Sequence, residues 1–189
     1  ITKLLLAEGV GDVIGVNRGG ILDPSDPALD DARRWLAANT NIERRRGDLT
    51  EAMTGADVFI GVSGPNLVSE EQLKVMANDS IVFALANPDP EVDPLVARRH
   101  AAIVATGRSD EPNQINNVLA FPGIFRGLLD VGASKITEQI EIAAGRAIAD
   151  VVKASELSPD YIVPTVFNPL VVSAVAEAVE TVARASMPS

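Results

Sequence analysis

The chain has 189 residues, 47% of them hydrophobic and only 4% aromatic. That length suggests one domain, its core built from Ala, Val, Ile and Leu, and it excludes a disordered or collagen-like chain. Lys and Arg number 16 against 26 Asp and Glu, a net charge of −10 that disfavours nucleic acid and anionic membranes and favours small-molecule partners.

The opening ITKLLLAEG reads as the last turns of a helix stopped at Gly9. Residues 12–17, DVIGVN, form a β-branched run between glycines and read as a buried strand. Asp26-Pro27 reads as a helix start leading into ALDDARRWLAAN, and a short helix over 48–54 ends at Gly55. DVFIGVS, residues 57–63, is the second strand. Ser69 and Gln72 match a capping box, which places a helix over 70–77. SIVFALA is a third strand, Asp93-Pro94 starts another helix, and residues 101–106 form a fourth strand. Strands alternating with helices specify a doubly wound parallel sheet, an α/β fold. Beyond residue 122 the pattern turns helical. Ile136, Ile140, Ala144, Ile148 and Val152 make one stripe, and Asn168-Pro169 caps a second helix whose expected buried face is Leu170, Val171, Ala174, Val175, Ala178, Val179 and Val182.

A dinucleotide-binding unit runs strand, glycine-rich turn, helix, second strand, then a polar residue that meets the adenosine ribose. Residues 1–17 supply only the later pieces. We therefore expect residues 1–189 to be a single cofactor-binding domain, incomplete at its N-terminus, whose first strand and glycine loop precede Ile1. An ordinary α/β domain with a short first helix is the alternative.

Four polar clusters fall at the carboxyl ends of predicted strands, where open α/β sheets bind ligands. Asn17-Arg18 lacks the carboxylate that would repel a 2′-phosphate and offers a guanidinium fork, which favours NADP modestly over NAD; a solvated turn is the alternative. Arg44, Arg45 and Arg46 either assist with such a phosphate or form a solvated face. Ser63-Gly64 allows close approach of a cofactor to backbone, or simply turns the chain. In Asn87-Pro88-Asp89-Pro90, after SIVFALA, two prolines stiffen the loop, so Asn87 presents its carboxamide to a substrate carboxylate or a ribose hydroxyl, or caps its loop. The segment TGRSDEPNQINNVLAFPG, residues 106–123, carries Arg108, Asn113, Gln114, Asn116 and Asn117, amides that require a polar ligand or neighbouring backbone as partners.

Catalytic and metal-binding sets are not visible. Cysteine is absent, which excludes disulfides and thiol-bound zinc and fits a reducing, cytoplasmic setting. His100, the only histidine, sits beside Arg98 and Arg99 in an expected exposed structural role, and Tyr161 belongs to a packed loop. No Asp, Glu or His spacing suits a metal, and no apolar run approaches the roughly 20 residues that span a bilayer.

The strings ITKLLL, the strand ending before Arg18-Gly19-Gly20-Ile21-Leu22, FIGVSGPNLV, FALANPDPEV, ATGRSDEPNQINNVLAFPGIFRG and DYIVPTVFNP, in that order, resemble the cofactor domain of bacterial malic enzymes over essentially the whole chain. The resemblance implies a Rossmann-type sheet with C-terminal helices. It also implies oxidation of malate and decarboxylation to pyruvate with NADP or NAD and Mg or Mn. Asn87 would meet substrate or nicotinamide ribose, Asn116 and Asn117 would meet substrate, and Ser63-Gly64 would line the cofactor cleft. The family's catalytic tyrosine and lysine and its metal-binding acids match nothing here, so this chain alone is expected to be inactive. A homo-oligomer, most simply a dimer, is implied. Asn17 replaces an Asp common in the family, and Phe167-Asn168-Pro169-Leu170 replaces FDPR. A non-catalytic nucleotide-binding regulatory module and a domain of another NAD(P)-dependent dehydrogenase are the competing readings.

Overall fold

The computed structural model describes residues 1–186. Helix α1 (Thr2–Ala7) precedes a small antiparallel hairpin, β1 (Val16–Asn17) and β2 (Gly20–Ile21). The expected strand over 12–17 is thereby corrected. Only its last two residues pair, and they pair with β2 because Gly20, at φ 108°, turns the chain straight back. The carbonyls of Val13 and Gly15 accept from the amides of Asn41 and Leu22 instead of a parallel neighbour. Helix α2 (Asp31–Asn39) also starts later than Asp26-Pro27 suggests, because the Asp30 carboxylate accepts the Arg33 N–H and so fixes the first turn there.

Next come α3 (Leu49–Met53), β3 (Val58–Gly61), α4 (Glu70–Lys74), β4 (Ile81–Ala84), α5 (Pro94–Ala97) and β5 (Ile103–Thr106). Local cap chemistry sets these boundaries: Asp48 accepts from Thr50 and Glu51, Ser69 and Gln72 form the reciprocal capping box, and Asp93 accepts from Leu95 ahead of Pro94. Helix α4 is shorter than expected, ending at Lys74.

Strands β3, β4 and β5 form one parallel sheet in that order, with Gly61 opposite Ala84 and Ala84 opposite Thr106. Three parallel strands are present among the described residues, where the sequence pattern predicts four. The register brings their carboxyl ends level along one edge. Beneath them Val82, Ala84, Val104, Leu73, Met53 and Ala97 are buried in a common core.

A 3₁₀ turn (Asn117–Leu119) leads into α6 (Phe121–Val131), followed by α7 (Glu138–Asp150) and α8 (Leu170–Ser186). The last two match the expected helices, with Thr137 and Asn168 accepting the Ile140 and Leu170 N–H groups, but Ile136, which precedes α7, and Leu170, the first residue of α8, are exposed rather than buried. Helix α6 is not anticipated by the sequence pattern, which Pro122, Gly123 and Gly127 obscure. Pro122 lies in the first turn, where a missing N–H costs nothing. The glycines let α8 approach closely: a Cβ on Gly123 would stand 2.5 Å from Val175 Cβ, and one on Gly127 would stand 2.5 Å from the Ala176 carbonyl. Leu119, Ile124, Leu128, Ile140, Ala144, Val175 and Val179 close this second core. No helix among the described residues is long and apolar enough to cross a membrane.

Candidate functional site at the carboxyl edge of the sheet

A parallel ladder ends by leaving its next N–H groups without partners. The last rung between β3 and β4 is Leu85 N–H to the Gly61 carbonyl, 3.0 Å. Beyond it the Glu91 carboxylate takes the two amides that follow, Ser63 N–H at 2.8 Å and Ala86 N–H at 3.0 Å. The loop after β3 is also tied down by Asn66 N–H to the Pro90 carbonyl, 3.1 Å, and Val68 N–H to the Glu91 carbonyl, 2.9 Å. Ser63 and Asn87 are thus exposed on a braced edge, with Gly64 half-buried between them and the core. The Asn87 carboxamide makes no hydrogen bond among the described residues, so it is available to a ligand.

Residues after β5 extend this edge. Ile115 N–H donates to the Thr106 carbonyl at 2.8 Å, which lays the amide-rich segment alongside β5. Its amides then divide. Asn113 is buried and fully used: Nδ2 donates to the carbonyls of Val104 and Pro159 at 3.1 and 2.7 Å, and Oδ1 accepts the Ile162 N–H at 2.8 Å. It is a structural amide that anchors the Tyr161 loop. Asn116 Oδ1 accepts the Val118 N–H at 3.0 Å and caps the 3₁₀ turn, while the exposed Asn117 carboxamide has no partner among the described residues. Arg108 forms a two-pronged pair with Asp110, 2.9 and 2.6 Å. That hydrogen bonding raises the Arg108 pKa and lowers that of the Asp110 carboxyl.

On the other side of the loop after β3 lies a surface hollow of about 310 Å³ lined by Asn17, Arg18, Gly47, Asp48, Leu67 and Gln72. Asn17 Oδ1 closes the turn by accepting the Gly19 N–H at 2.7 Å. This leaves its Nδ2 and the exposed Arg18, unpaired among the described residues, for a ligand. Gly47, Asp48, Leu67 and Gln72 are lining residues that sequence reading misses, since nothing local signals that the α3 and α4 starts meet the hairpin. Arg44, Arg45 and Arg46 do not line this hollow. Arg44 donates to the Ala37 carbonyl, Arg45 to the Thr54 and Glu51 carbonyls, and Arg46 pairs with Asp23 at 3.2 Å.

His100 is mostly buried rather than exposed, with its Nε2 2.8 Å from Glu70 Oε1, and it ties the end of α5 to α4. Among the described residues no group of three or more Asp, Glu or His could hold a metal ion. The edge offers the free carboxamides of Asn87 and Asn117, and the hollow beside it offers the Arg18 guanidinium, a donor set that suits a phosphorylated, hydroxyl-rich ligand beside a carboxylate.

Fold and edge together define a parallel α/β domain of the nucleotide-binding class. A family model described as the NAD-binding domain of malic enzyme matches residues 4–185, and the chain belongs to that family. It is 51% identical over 178 residues to an NAD-dependent malic enzyme of Geobacillus stearothermophilus, covering 94% of this chain and 37% of that protein. Against a bifunctional malic/malolactic enzyme of Bacillus subtilis the identity is 48%, covering 99% of this chain and 45% of the relative. The solved NAD-dependent malic enzyme of Thermotoga maritima superposes with a TM-score of 0.89 at 47% identity, over 95% of this chain and 48% of that one. The chain therefore spans less than half the length of these relatives.

Proposed function

We propose that this chain is the cofactor- and substrate-binding part of an oxidative decarboxylase that converts malate to pyruvate and carbon dioxide while reducing NADP or NAD. The observation that carries the reading is the level carboxyl edge, with Ser63-Gly64 following β3, Asn87 following β4 and Asn116-Asn117 following the segment that pairs with Thr106 at the end of β5. Asn17 and Arg18 hold the adenosine ribose, with Arg18 supplying the charge that a 2′-phosphate needs. Gly64 lets the dinucleotide lie close to backbone. Asn87 and Asn117 donate to the malate carboxylates; a carboxamide binds an anion without itself ionising, so this contact persists across pH. Asn116 keeps its oxygen on the 3₁₀ turn and offers only its Nδ2. The nicotinamide, when bound, supplies the hydride acceptor.

The Mg or Mn implied by the resemblance does not fit the described residues, and no step here passes through it. In this reading the metal-binding acids, tyrosine and lysine belong to a further part of a longer, cytoplasmic, homo-oligomeric polypeptide, a dimer in its simplest form. The relatives' greater length supports that reading. The full-length protein, given malate and Mn, is expected to reduce NADP or NAD, read by absorbance of the reduced nicotinamide, whereas residues 1–189 alone are expected to show negligible turnover. Failure of the full-length protein to reduce either dinucleotide would overturn the proposal.

A further inference from the structure

We infer that Glu91, which has no solvent exposure, is a positioning residue that fixes the spacing between Ser63-Gly64 and Asn87; this deepens the proposed dinucleotide site and rests on it. Glu91 is 0% exposed, and no Lys, Arg or His pairs with it among the described residues. Burying a carboxylate without a cation is costly, so the arrangement holds only where hydrogen bonds to the ionised oxygens compensate. Both oxygens find such bonds, one on each side of the opening between two strands: Oε1 accepts from Ser63 and Oε2 from Ala86.

The position is a mechanical one. Up to Gly61 and Leu85 the backbone ladder sets the distance between β3 and β4. Past that rung the strands must part to admit a ligand, and the parted amides would otherwise be unsatisfied. The Glu91 side chain bridges the two chains past the last rung, one oxygen to the chain leaving β3 and the other to the chain leaving β4. Its contact with β3 requires glycine there: a Cβ on Gly61 would stand 2.5 Å from the carboxyl carbon of Glu91 and 2.7 Å from Oε1. Two sequence features separated by 30 positions, the glycine of FIGV and the glutamate of NPDPE, therefore form one device.

A carboxylate is the only side chain that suits it. The substitution Glu91→Gln would keep one acceptor but turn an NH₂ toward a backbone N–H, freeing either Ser63 or Ala86. Aspartate, one methylene shorter, cannot span both. Because the group acts through the loops, the loss should appear in ligand affinity beyond any loss of stability.

The test uses the full-length protein, NADP and NAD as probes, and three variants: Glu91→Gln, Gly61→Ala and, as a stability control, Val179→Ala in the core between α6 and α8. The dissociation constant is expected to rise about tenfold or more in both Glu91→Gln and Gly61→Ala, with faster hydrogen exchange confined to residues 62–68 and 85–91. In Val179→Ala it is expected to stay within twofold despite a comparable fall in Tm. Unchanged affinity in Glu91→Gln or in Gly61→Ala, with only Tm reduced, would overturn the inference while leaving the dinucleotide reading intact. If Glu91→Gln does not fold, Gly61→Ala decides alone. A wild-type protein that binds neither dinucleotide would overturn the underlying reading, and the inference with it.

Discussion

Between residues 49 and 115 the buried set includes Ser80, Glu91, Thr106 and Asn113, whereas between 117 and 186 the residues buried are Leu, Ile, Val, Ala, Gly and Pro. Helices satisfy their own amides, so α6, α7 and α8 pack dry, with Gly123 and Gly127 set against Val175 and Val179. Strand ends cannot do so. Where β3, β4 and β5 stop, side chains such as Glu91 and Asn113 take over the hydrogen bonding that the ladder relinquishes, and those same strand ends carry the exposed donors. Buried Glu91 and Thr106 therefore mark the edge to which the proposed binding chemistry is assigned, whereas Ser80 lies at the amino end of β4 and Thr40 and Asn41 lie just past α2.

Mutations should separate the two regions. The largest effect is expected for Ile140→Ala, a fully buried side chain in the helical core: about 2 to 5 kcal/mol of stability lost in chemical denaturation, with dinucleotide affinity unchanged in the protein that remains folded. Gly127→Ala should follow, at about 1 to 3 kcal/mol, because the new methyl meets the Ala176 carbonyl rather than a yielding side chain. Asn113→Ala leaves the Val104 and Pro159 carbonyls and the Ile162 amide without their partner, at about 1 to 3 kcal/mol. It should also loosen residues 159–162 in hydrogen exchange, and exchange there as slow as in wild type would contradict the anchoring role of Asn113. Arg18→Gln should weaken NADP by about tenfold, the loss of one charge-assisted phosphate contact, and NAD by less than about twofold in the same titration.

The smallest effect concerns acid. Hydrogen bonding from His100, with Arg99 and Lys74 adding to it, holds the Glu70 carboxyl below its ordinary value of 4.5. A carboxyl lowered on folding stabilises the protein above the unfolded value and loses that contribution as pH falls through the folded one. In Tm against pH, wild type should exceed Glu70→Gln by a small constant margin near neutrality, and the curves should converge as pH falls below 4.5 and through the lowered folded value.

Much of this organisation is legible in the sequence because it is written locally. The β-branched runs of β3, β4 and β5, the Ser69–Gln72 capping box and the Asp93-Pro94 start need no distant information. The terminal strand assignment fails for the opposite reason: whether residues 12–17 join a sheet depends on a neighbour, and the turn at Gly20 supplies the wrong one. The amide-rich segment is conspicuous in composition, yet nothing local distinguishes the buried, fully bonded Asn113 from the exposed Asn117. Glu91 reads as one more acid in a Pro-rich loop until Ser63 and Ala86 are seen to converge on it. Helix α6 hides behind Pro122, Gly123 and Gly127, whose low helix propensity is overridden by the close approach of α8.

The most direct measurement of the central claim is malate-dependent nicotinamide reduction by the full-length protein, with Asn117→Ala compared against Ile140→Ala. An edge that binds substrate predicts that Asn117→Ala raises the malate KM about tenfold, the loss of one hydrogen bond to a charged group, with Tm nearly unchanged. It also predicts that Ile140→Ala lowers Tm and leaves KM alone. The reverse pattern, an unaltered KM in Asn117→Ala and a raised one in Ile140→Ala, would contradict it.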